Sequence, residues 1–343
     1  MLRRQFAAAE NQEGETMKAK DSVKKALLVI SMPIVLYLVF FILRPASFGN
    51  GATLYNVFQQ SIISCIIAWG MSFTMMMNQF DLAVGSEIVL VAIFGAMLSP
   101  HLGIPGIIIG CVAGGLVTGI LKAMAFKLFK IPTMILTIAL TYLFAAFGGI
   151  LTNAASLVIP TDQSILAQAP WNIIIFLAAG VIIYILHRFS PYGARARAVS
   201  GNENLARING INVDRIKITA LLISSLFAGI AAVLKLCHGS SVAPTTGLAS
   251  IATILEPIMS VFVGIVLSKF VNIVLGIFIG AFLMSIISNG LIAVSMPPSY
   301  NNVVVGGVLI ALMVFINLKS LMDEKKINNS AAKIRKDLDK ADA

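Results

Sequence analysis

Ten long apolar runs dominate this chain of 343 residues and decide what it can fold into. About 20 consecutive apolar residues are enough for a helix to cross a bilayer. Apolar residues make up 58% of the sequence and charged residues only 12%, whereas a soluble domain has about 45–50% and about 25%. The sequence therefore predicts an all-α polytopic membrane protein with about ten transmembrane helices. The runs are Ala26–Leu43, Val57–Met77, Leu82–Ser99, Ile104–Leu121, Ile131–Leu151, Trp171–Phe189, Ile218–Leu236, Ile251–Leu267, Val271–Ala293 and Asn302–Leu318.

The basic residues indicate how these helices are oriented. With ten spans, 23 of the 25 basic residues fall on one side of the membrane, and only Arg44 and Lys235 fall on the other. The side rich in basic residues comprises the two tails and the connections that follow the fourth, sixth and eighth spans. We place Lys122, Lys127 and Lys130 in the connection between the fourth and fifth spans. Cytoplasmic segments carry the excess of Lys and Arg. We therefore expect both termini to be cytoplasmic, with tails at 1–25 and 319–343 around a transmembrane domain at 26–318.

Several function classes lack their sequence signatures. The chain has no GxxxxGK[ST], HExxH or GxSxG motif, and its three histidines and three cysteines are scattered. We therefore expect no catalytic residue, metal site or cofactor, and no enzyme activity in this chain. The net charge of +10 is explained by topology, so we expect the lipid bilayer and no nucleic acid as a partner. Few ionisable residues lie within the runs, which indicates that energy coupling comes from a partner.

The loop at 190–217 contains a short predicted helix outside the membrane. Asn202 is a suitable N-cap for a helix over Glu203–Ile208, and Asn209–Gly210 supplies a stop. Leu205 and Ile208 are three residues apart and would share one face. A helix this short needs packing to exist. It either packs on its own bundle or inserts into a groove on a soluble partner.

The same loop resembles a known family. GNENLARINGINV is similar to the cytoplasmic loop of bacterial ABC importer permeases of the ribose/galactose/autoinducer type, which are related to branched-chain amino acid permeases. QFDLAVGSEIVLVA, KIPTMILTIALTYLFAAFGGILT and ISNGLIAVSMPPSYNNVVVGGVLI resemble further segments of that family, in the same order over roughly residues 55–318. Each segment alone is a weak signal, whereas their joint order is specific.

The resemblance implies a mechanism and partners. Two permease subunits, identical or different, would form a pathway between them in the bacterial inner membrane. An extracytoplasmic substrate-binding protein would deliver a sugar or sugar-like solute, and separate ABC ATPase subunits would hydrolyse ATP and grip the loop helix. The coupling residues implied are Gly201, Asn202, Glu203, Leu205, Ala206, Arg207, Ile208, Gly210 and Asn212.

The candidate residues of the translocation path are polar positions within or beside the spans. They are Gln59, Gln60, Ser64, Asp81, Ser86, Glu87, Glu256 and Asn289. Asp81 also suits a helix N-terminus, and Glu256, directly before Pro257, suits a helix kink or gate. The amide and hydroxyl groups suit either a sugar path or hydrogen bonds between helices.

The chain also departs from the family pattern. Asn78–Gln79–Phe80 replace the glycines before the family's Ile-Asp, Ala146–Phe147 stand where an Arg is usual, and only Gly264 and Gly276 remain of a glycine-rich linker. These departures leave open a heterodimer, or a scaffold that does not transport. An ion-coupled secondary carrier, or a permease for nucleosides or branched-chain amino acids, also remains as an alternative.

Overall fold

The computed structural model describes residues 31–268, 271–297, 300, 303–304, 306–307, 310 and 314. Within this part, eight helices are long and apolar enough to cross a membrane. The α-helices are α1 Ser31–Leu43, α2 Pro45–Phe48, α3 Gly51–Met76, α4 Val84–Leu102, α5 Ile104–Phe129, α6 Thr133–Thr152, α7 Trp171–Arg188, α8 Pro191–Gly201, α9 Glu203–Ile208, α10 Val213–Gly239, α11 Leu255–Leu267 and α12 Ile273–Ala293. Two 3₁₀ helices add Thr161–Ala167 and Ala249–Ile254, the second leading directly into α11.

The prediction of an all-α polytopic membrane protein is confirmed. Each of the second to ninth apolar runs corresponds to one of the eight long helices. The first run is represented by α1, and the last is helical at its described positions 303–304, 306–307, 310 and 314. Both ends of the chain lie outside the described residues. The count of ten spans and the cytoplasmic position of the termini therefore stay predictions.

Small residues allow the central helices to pack closely. α10 packs against α3, α4 and α5, while α11 and α12 pair with each other. A Cβ on Gly115 of α5 would lie 2.7 Å from the carbonyl oxygen of Ser225 in α10. A Cβ on Gly264 of α11 would lie 2.3 Å from the Ile277 side chain of α12. Helix packing in membranes relies on such small residues, so larger ones here would separate the helices.

The two ends of the bundle are built differently. At one end, the strand β1 Leu157–Val158 pairs antiparallel with β2 Ser241–Val242, and we call this the strand end. The other end carries α8 and α9, and we call it the loop end. The sequence predicted α9 but not α8. Ser190 caps α8 by accepting a hydrogen bond from the Gly193 N–H at 2.9 Å, and Pro191 occupies the first helical position.

Candidate functional site

The short helix α9 has the predicted bounds and the predicted caps. The Asn202 side chain accepts a hydrogen bond from the Leu205 N–H at 3.0 Å, which satisfies one of the unpaired donors of the first turn. At the other end, the Asn209 side chain donates to the Leu205 carbonyl at 2.8 Å. Gly210 then has a φ of +78°, a conformation that favours glycine. Asn212 caps the following helix by accepting from the Arg215 N–H at 3.1 Å.

The apolar residues of α9 face away from the bundle. Leu205 is 58% exposed and Ile208 is 82% exposed, and they lie on the outer face of the helix. Ala206 is the buried residue of α9 and packs against the body of the protein. Gly201, the last residue of α8, has open space beside its Cα atom. Two large apolar side chains are therefore exposed on a helix whose other side is packed against the protein.

Four charged residues, which we call the loop network, hold α9 to the start of α10. Arg207 donates to Glu203 and to Asp214 at 3.0 Å each, and Lys217 donates to the other Glu203 oxygen at 2.8 Å. The hydrogen bond from Lys217 lowers the pKa of Glu203, and Arg207 adds to this effect. The network is partly solvent-exposed, so each ion pair contributes little to stability.

Hydrogen bonds from α8 connect the loop end to three spanning helices. The Ser200 hydroxyl donates to the Met76 carbonyl at the end of α3 at 2.6 Å. The Tyr192 hydroxyl donates to the Ile216 carbonyl in α10 at 3.2 Å, and the Arg197 guanidinium donates to the His187 carbonyl in α7. A force applied to α9 and α8 would therefore reach α3, α7 and α10 directly.

A group of ionisable side chains lies inside the helix bundle and forms what we call the buried cluster. Lys122 Nζ lies 2.7 Å from Asp81 Oδ2 and 2.6 Å from Glu87 Oε2, and all three side chains are 0% exposed. The Thr118 hydroxyl donates to Glu87 Oε1 at 2.6 Å. Lys122 lies seven residues before the end of α5, which is about 10 Å along the helix axis. The charges are therefore well inside the bundle.

Asp81 belongs to a non-helical segment, residues 77–83, between α3 and α4. Two threonines of α6 donate hydrogen bonds to backbone carbonyls of this segment. The Thr137 hydroxyl donates to the Phe80 carbonyl at 3.1 Å and the Thr141 hydroxyl to the Leu82 carbonyl at 3.2 Å. Asp81 itself accepts from the Ala83 N–H at 3.2 Å, as expected for a residue before a helix. Backbone outside a helix is tolerated at membrane depth when protein groups pair with it in this way.

Four of the other candidate path residues form side-chain hydrogen bonds to neighbouring helices. The Asn289 side chain in α12 donates to Gln60 Oε1 in α3 at 2.7 Å, and the Ser288 hydroxyl donates to Glu256 in α11. Gln59 Nε2 donates to the Ala167 carbonyl at 2.6 Å. These bonds join helices in this conformation. Ser64 and Ser86 are buried, and the Ser86 hydroxyl donates to the Ala83 carbonyl at 3.0 Å. A role of these residues in a translocation path stays a prediction.

The position assigned to Lys122 in the sequence analysis was wrong. We placed it in the fourth-to-fifth connection, whereas α5 continues to Phe129 and encloses it. The apolar residues Ala123, Met124, Ala125 and Phe126 after it were a signal that the helix continues past the lysine. Sequence reasoning also missed the threonines of α6, because nothing local shows that they pair with a segment 55 to 59 residues earlier.

Comparisons with known proteins agree with this architecture. The chain is 27% identical to the ribose import permease protein of Escherichia coli K12 over 340 residues, covering 89% of this chain and 98% of the relative. It is 27% identical to the ribose import permease protein of Bacillus subtilis, covering 83% of this chain and 90% of the relative. It is 24% identical to the L-arabinose ABC transporter permease protein of Azospirillum brasilense, covering 73% and 75%.

The sequence model of one family, described as the permease component of the branched-chain amino acid transport system, matches residues 53–313. This range includes all but the first two residues of α3, the whole of α4 to α12, the loop network and the buried cluster. It agrees with the family resemblance found in the motifs. The chain belongs to this family of transport-system permease components.

Proposed function

We propose that this chain is the transmembrane permease subunit of an ABC importer for a sugar or sugar-like solute. The family, together with the ribose and L-arabinose permeases among its relatives, supports a sugar or sugar-like solute as the substrate. Permease subunits of this kind are not enzymes, and ATP hydrolysis takes place on separate ATPase subunits. The chain would be a multi-pass protein of the bacterial inner membrane, paired with a second permease subunit.

The single observation that carries the coupling proposal is the construction of α9. It is capped at both ends, exposes Leu205 and Ile208, and is tied to the spanning helices through α8 and α10. A docking helix must transmit displacement without unravelling, and these contacts favour that property. In this proposal the residues from Gly201 to Asn212 contact the ATPase on the cytoplasmic side. The basic side chains around them support this orientation.

Several glycines of the family pattern are missing from this chain. Their absence raises the question of whether the second permease subunit is identical or different. The two glycines that remain, Gly264 and Gly276, touch each other, since a Cβ on Gly276 would lie 3.0 Å from the Gly264 carbonyl oxygen. α11 and α12 therefore pack closely although the rest of the glycine-rich linker is absent. We infer that the membrane domain keeps its packing, and that the departures bear on the partner permease or the solute.

The proposal is tested by purifying the tagged chain in mild detergent and identifying the proteins that accompany it. We expect an ATPase with the wild type and none with Leu205→Asp/Ile208→Asp, because two charges on the exposed face oppose insertion into an apolar groove. Both side chains are exposed, so the fold should remain intact. Gly210→Asp should also reduce recovery, because it strains the turn that ends α9.

Gly103→Asp is the matched control for Gly210→Asp. Gly103 also has a positive φ, +63°, and open space around it, but it lies between α4 and α5 at the strand end. We expect this variant to retain the ATPase. If the wild type and Leu205→Asp/Ile208→Asp recover equal amounts of the ATPase, α9 is not the docking element. Uptake that proceeds without any ATPase would instead favour the ion-coupled carrier.

A further inference from the structure

A cavity of about 640 Å³ opens at the loop end between the last turn of α5 and the first turns of α10. The two helices touch farther along, where a Cβ on Gly119 would lie 2.8 Å from the Ser225 side chain. Toward the loop end they instead border this space. Its volume lies in the range of about 300–1,000 Å³ that is usual for small-molecule sites. The lining residues are Phe126, Lys127, Lys130, Ile131, Asn212, Asp214, Arg215 and Ile218.

The charges around the cavity are unbalanced. Lys127, Lys130 and Arg215 form no ion pair with any residue in the described part of the chain. The one carboxylate that lines the cavity, Asp214, is paired with Arg207 at 3.0 Å. The N-terminus of α10 adds the positive end of its helix dipole. Three basic side chains therefore surround the cavity. Among the residues that line it, no unpaired carboxylate balances their charge.

The remaining walls of the cavity are apolar. They lie next to an exposed apolar surface of α5 that could contact lipid acyl chains. Phe126, Ile131 and Ile218 line the cavity between the basic groups. On the neighbouring surface of α5, Met124 is 53% exposed and Leu128 is 71% exposed. The basic groups thus lie where the apolar surface of α5 ends, and the end of a membrane-spanning helix lies near the lipid headgroups. A free inorganic anion would use the charges but not these walls.

We infer that this cavity binds the phosphate headgroup of an anionic phospholipid, with the acyl chains lying along the outer face of α5. Basic pockets between transmembrane helices bind anionic headgroups in this way. The site adjoins the ATPase-docking segment at Asn212, but its basic side chains lie outside α9. The inference goes beyond the proposed transport function and does not depend on it. A bound lipid would hold the ends of α5 and α10 at a fixed separation.

The test is native mass spectrometry of the purified chain without partner subunits, titrated with phosphatidylglycerol or phosphatidylcholine. We expect one tightly bound phosphatidylglycerol and weaker binding of phosphatidylcholine. Lys127→Gln/Lys130→Gln should weaken phosphatidylglycerol binding about 25-fold, because each basic side chain near an anionic headgroup strengthens binding about fivefold. Lys127→Arg/Lys130→Arg should retain it, since the charges remain.

The matched control is Arg188→Gln/Arg195→Gln, which removes the same charge from α7 and α8 at the same end of the bundle. We expect its phosphatidylglycerol binding to equal that of the wild type. An equal loss in the control would overturn the inference, because the lipid would then follow total charge. Displacement of the lipid by millimolar inorganic phosphate would also overturn it, in favour of a free-phosphate site. Unchanged binding in Lys127→Gln/Lys130→Gln would show that the cavity is not the site.

Discussion

The loop network and the buried cluster use the same kinds of side chains in opposite surroundings. In the loop network, Arg207 and Glu203 are about half exposed, and water competes for every ion pair. In the buried cluster, Lys122 and its two carboxylates are 0% exposed. Exposed pairs contribute little because solvent screens them, whereas a buried charge left without its partner is strongly destabilising. The comparison separates a region whose ion pairs add little to stability from one whose ion pairs fix three segments together.

The largest effect should come from Lys122→Met, which leaves Asp81 and Glu87 buried without a counter-charge. We expect a loss of about 3–5 kcal/mol in the free energy of unfolding, the usual result of breaking a buried ion pair. Thermal unfolding and yield in detergent would measure it. Arg195→Met, at an exposed position in α8, is the control and should be close to wild type. A Lys122→Met protein as stable as this control would show that the cluster does not hold the fold.

Glu87→Gln should have a smaller effect, because Asp81 and Lys122 remain as a pair of opposite charges. The new amide can still accept from Thr118, so we expect a loss of at most about 1.5–3 kcal/mol, the range for a hydrogen bond to a charged group. ATP-dependent uptake in membrane vesicles should persist. Stable protein with no uptake would give Glu87 a role in ion coupling and favour the secondary carrier.

Glu203→Gln should affect stability least, since it removes exposed interactions of α9. We expect a change of about 0.2–1 kcal/mol in the free energy of unfolding for each of the two ion pairs lost, with Lys217 and with Arg207. The same variant should weaken ATPase recovery more visibly, because α9 loses one of its two ionic connections to α10 and keeps only Arg207–Asp214. A stability loss as large as that of Lys122→Met would remove the contrast between the two regions.

The difference in unfolding free energy between wild type and Glu203→Gln should depend on pH, which tests the ion pairs of the loop network directly. The pKa of Glu203 is lowered in the folded protein, chiefly by the hydrogen bond from Lys217. The stabilisation is therefore fully present above the ordinary Glu pKa of about 4.3 and is lost as the pH falls through the lowered value. We expect wild type and Glu203→Gln to differ equally at pH 8 and pH 6, and to converge as the pH falls from the ordinary Glu pKa of about 4.3 through the lowered pKa of Glu203. A difference that grows in acid would contradict the assignment.

The sequence predicted what is local and missed what is distant. The bounds of α9 could be predicted because Asn202 and Gly210 act on the residues next to them. The apolar runs marked the long helices, since length and hydropathy are also local properties. The partners of Lys122 lie 35 and 41 residues away in the sequence, so no local pattern could join them. The helix α8 was missed although Ser190–Pro191 provided a cap and a favourable first residue.

The pairing of residues 77–83 with α6 has a consequence for biosynthesis. The Leu82 carbonyl accepts from Thr141, 59 residues later in the chain, and Asp81 pairs with Lys122 of α5. At a translation rate of about 5–20 residues per second, the ribosome makes the threonine roughly 3 to 12 s after the segment. Until Lys122 is made Asp81 lacks its counter-charge, and until the threonines are made the Phe80 and Leu82 carbonyls lack these hydrogen bonds. Water or the insertion machinery must therefore pair with the polar groups between α3 and α4 until α5 and α6 have been made. Only then can this segment be buried within the membrane.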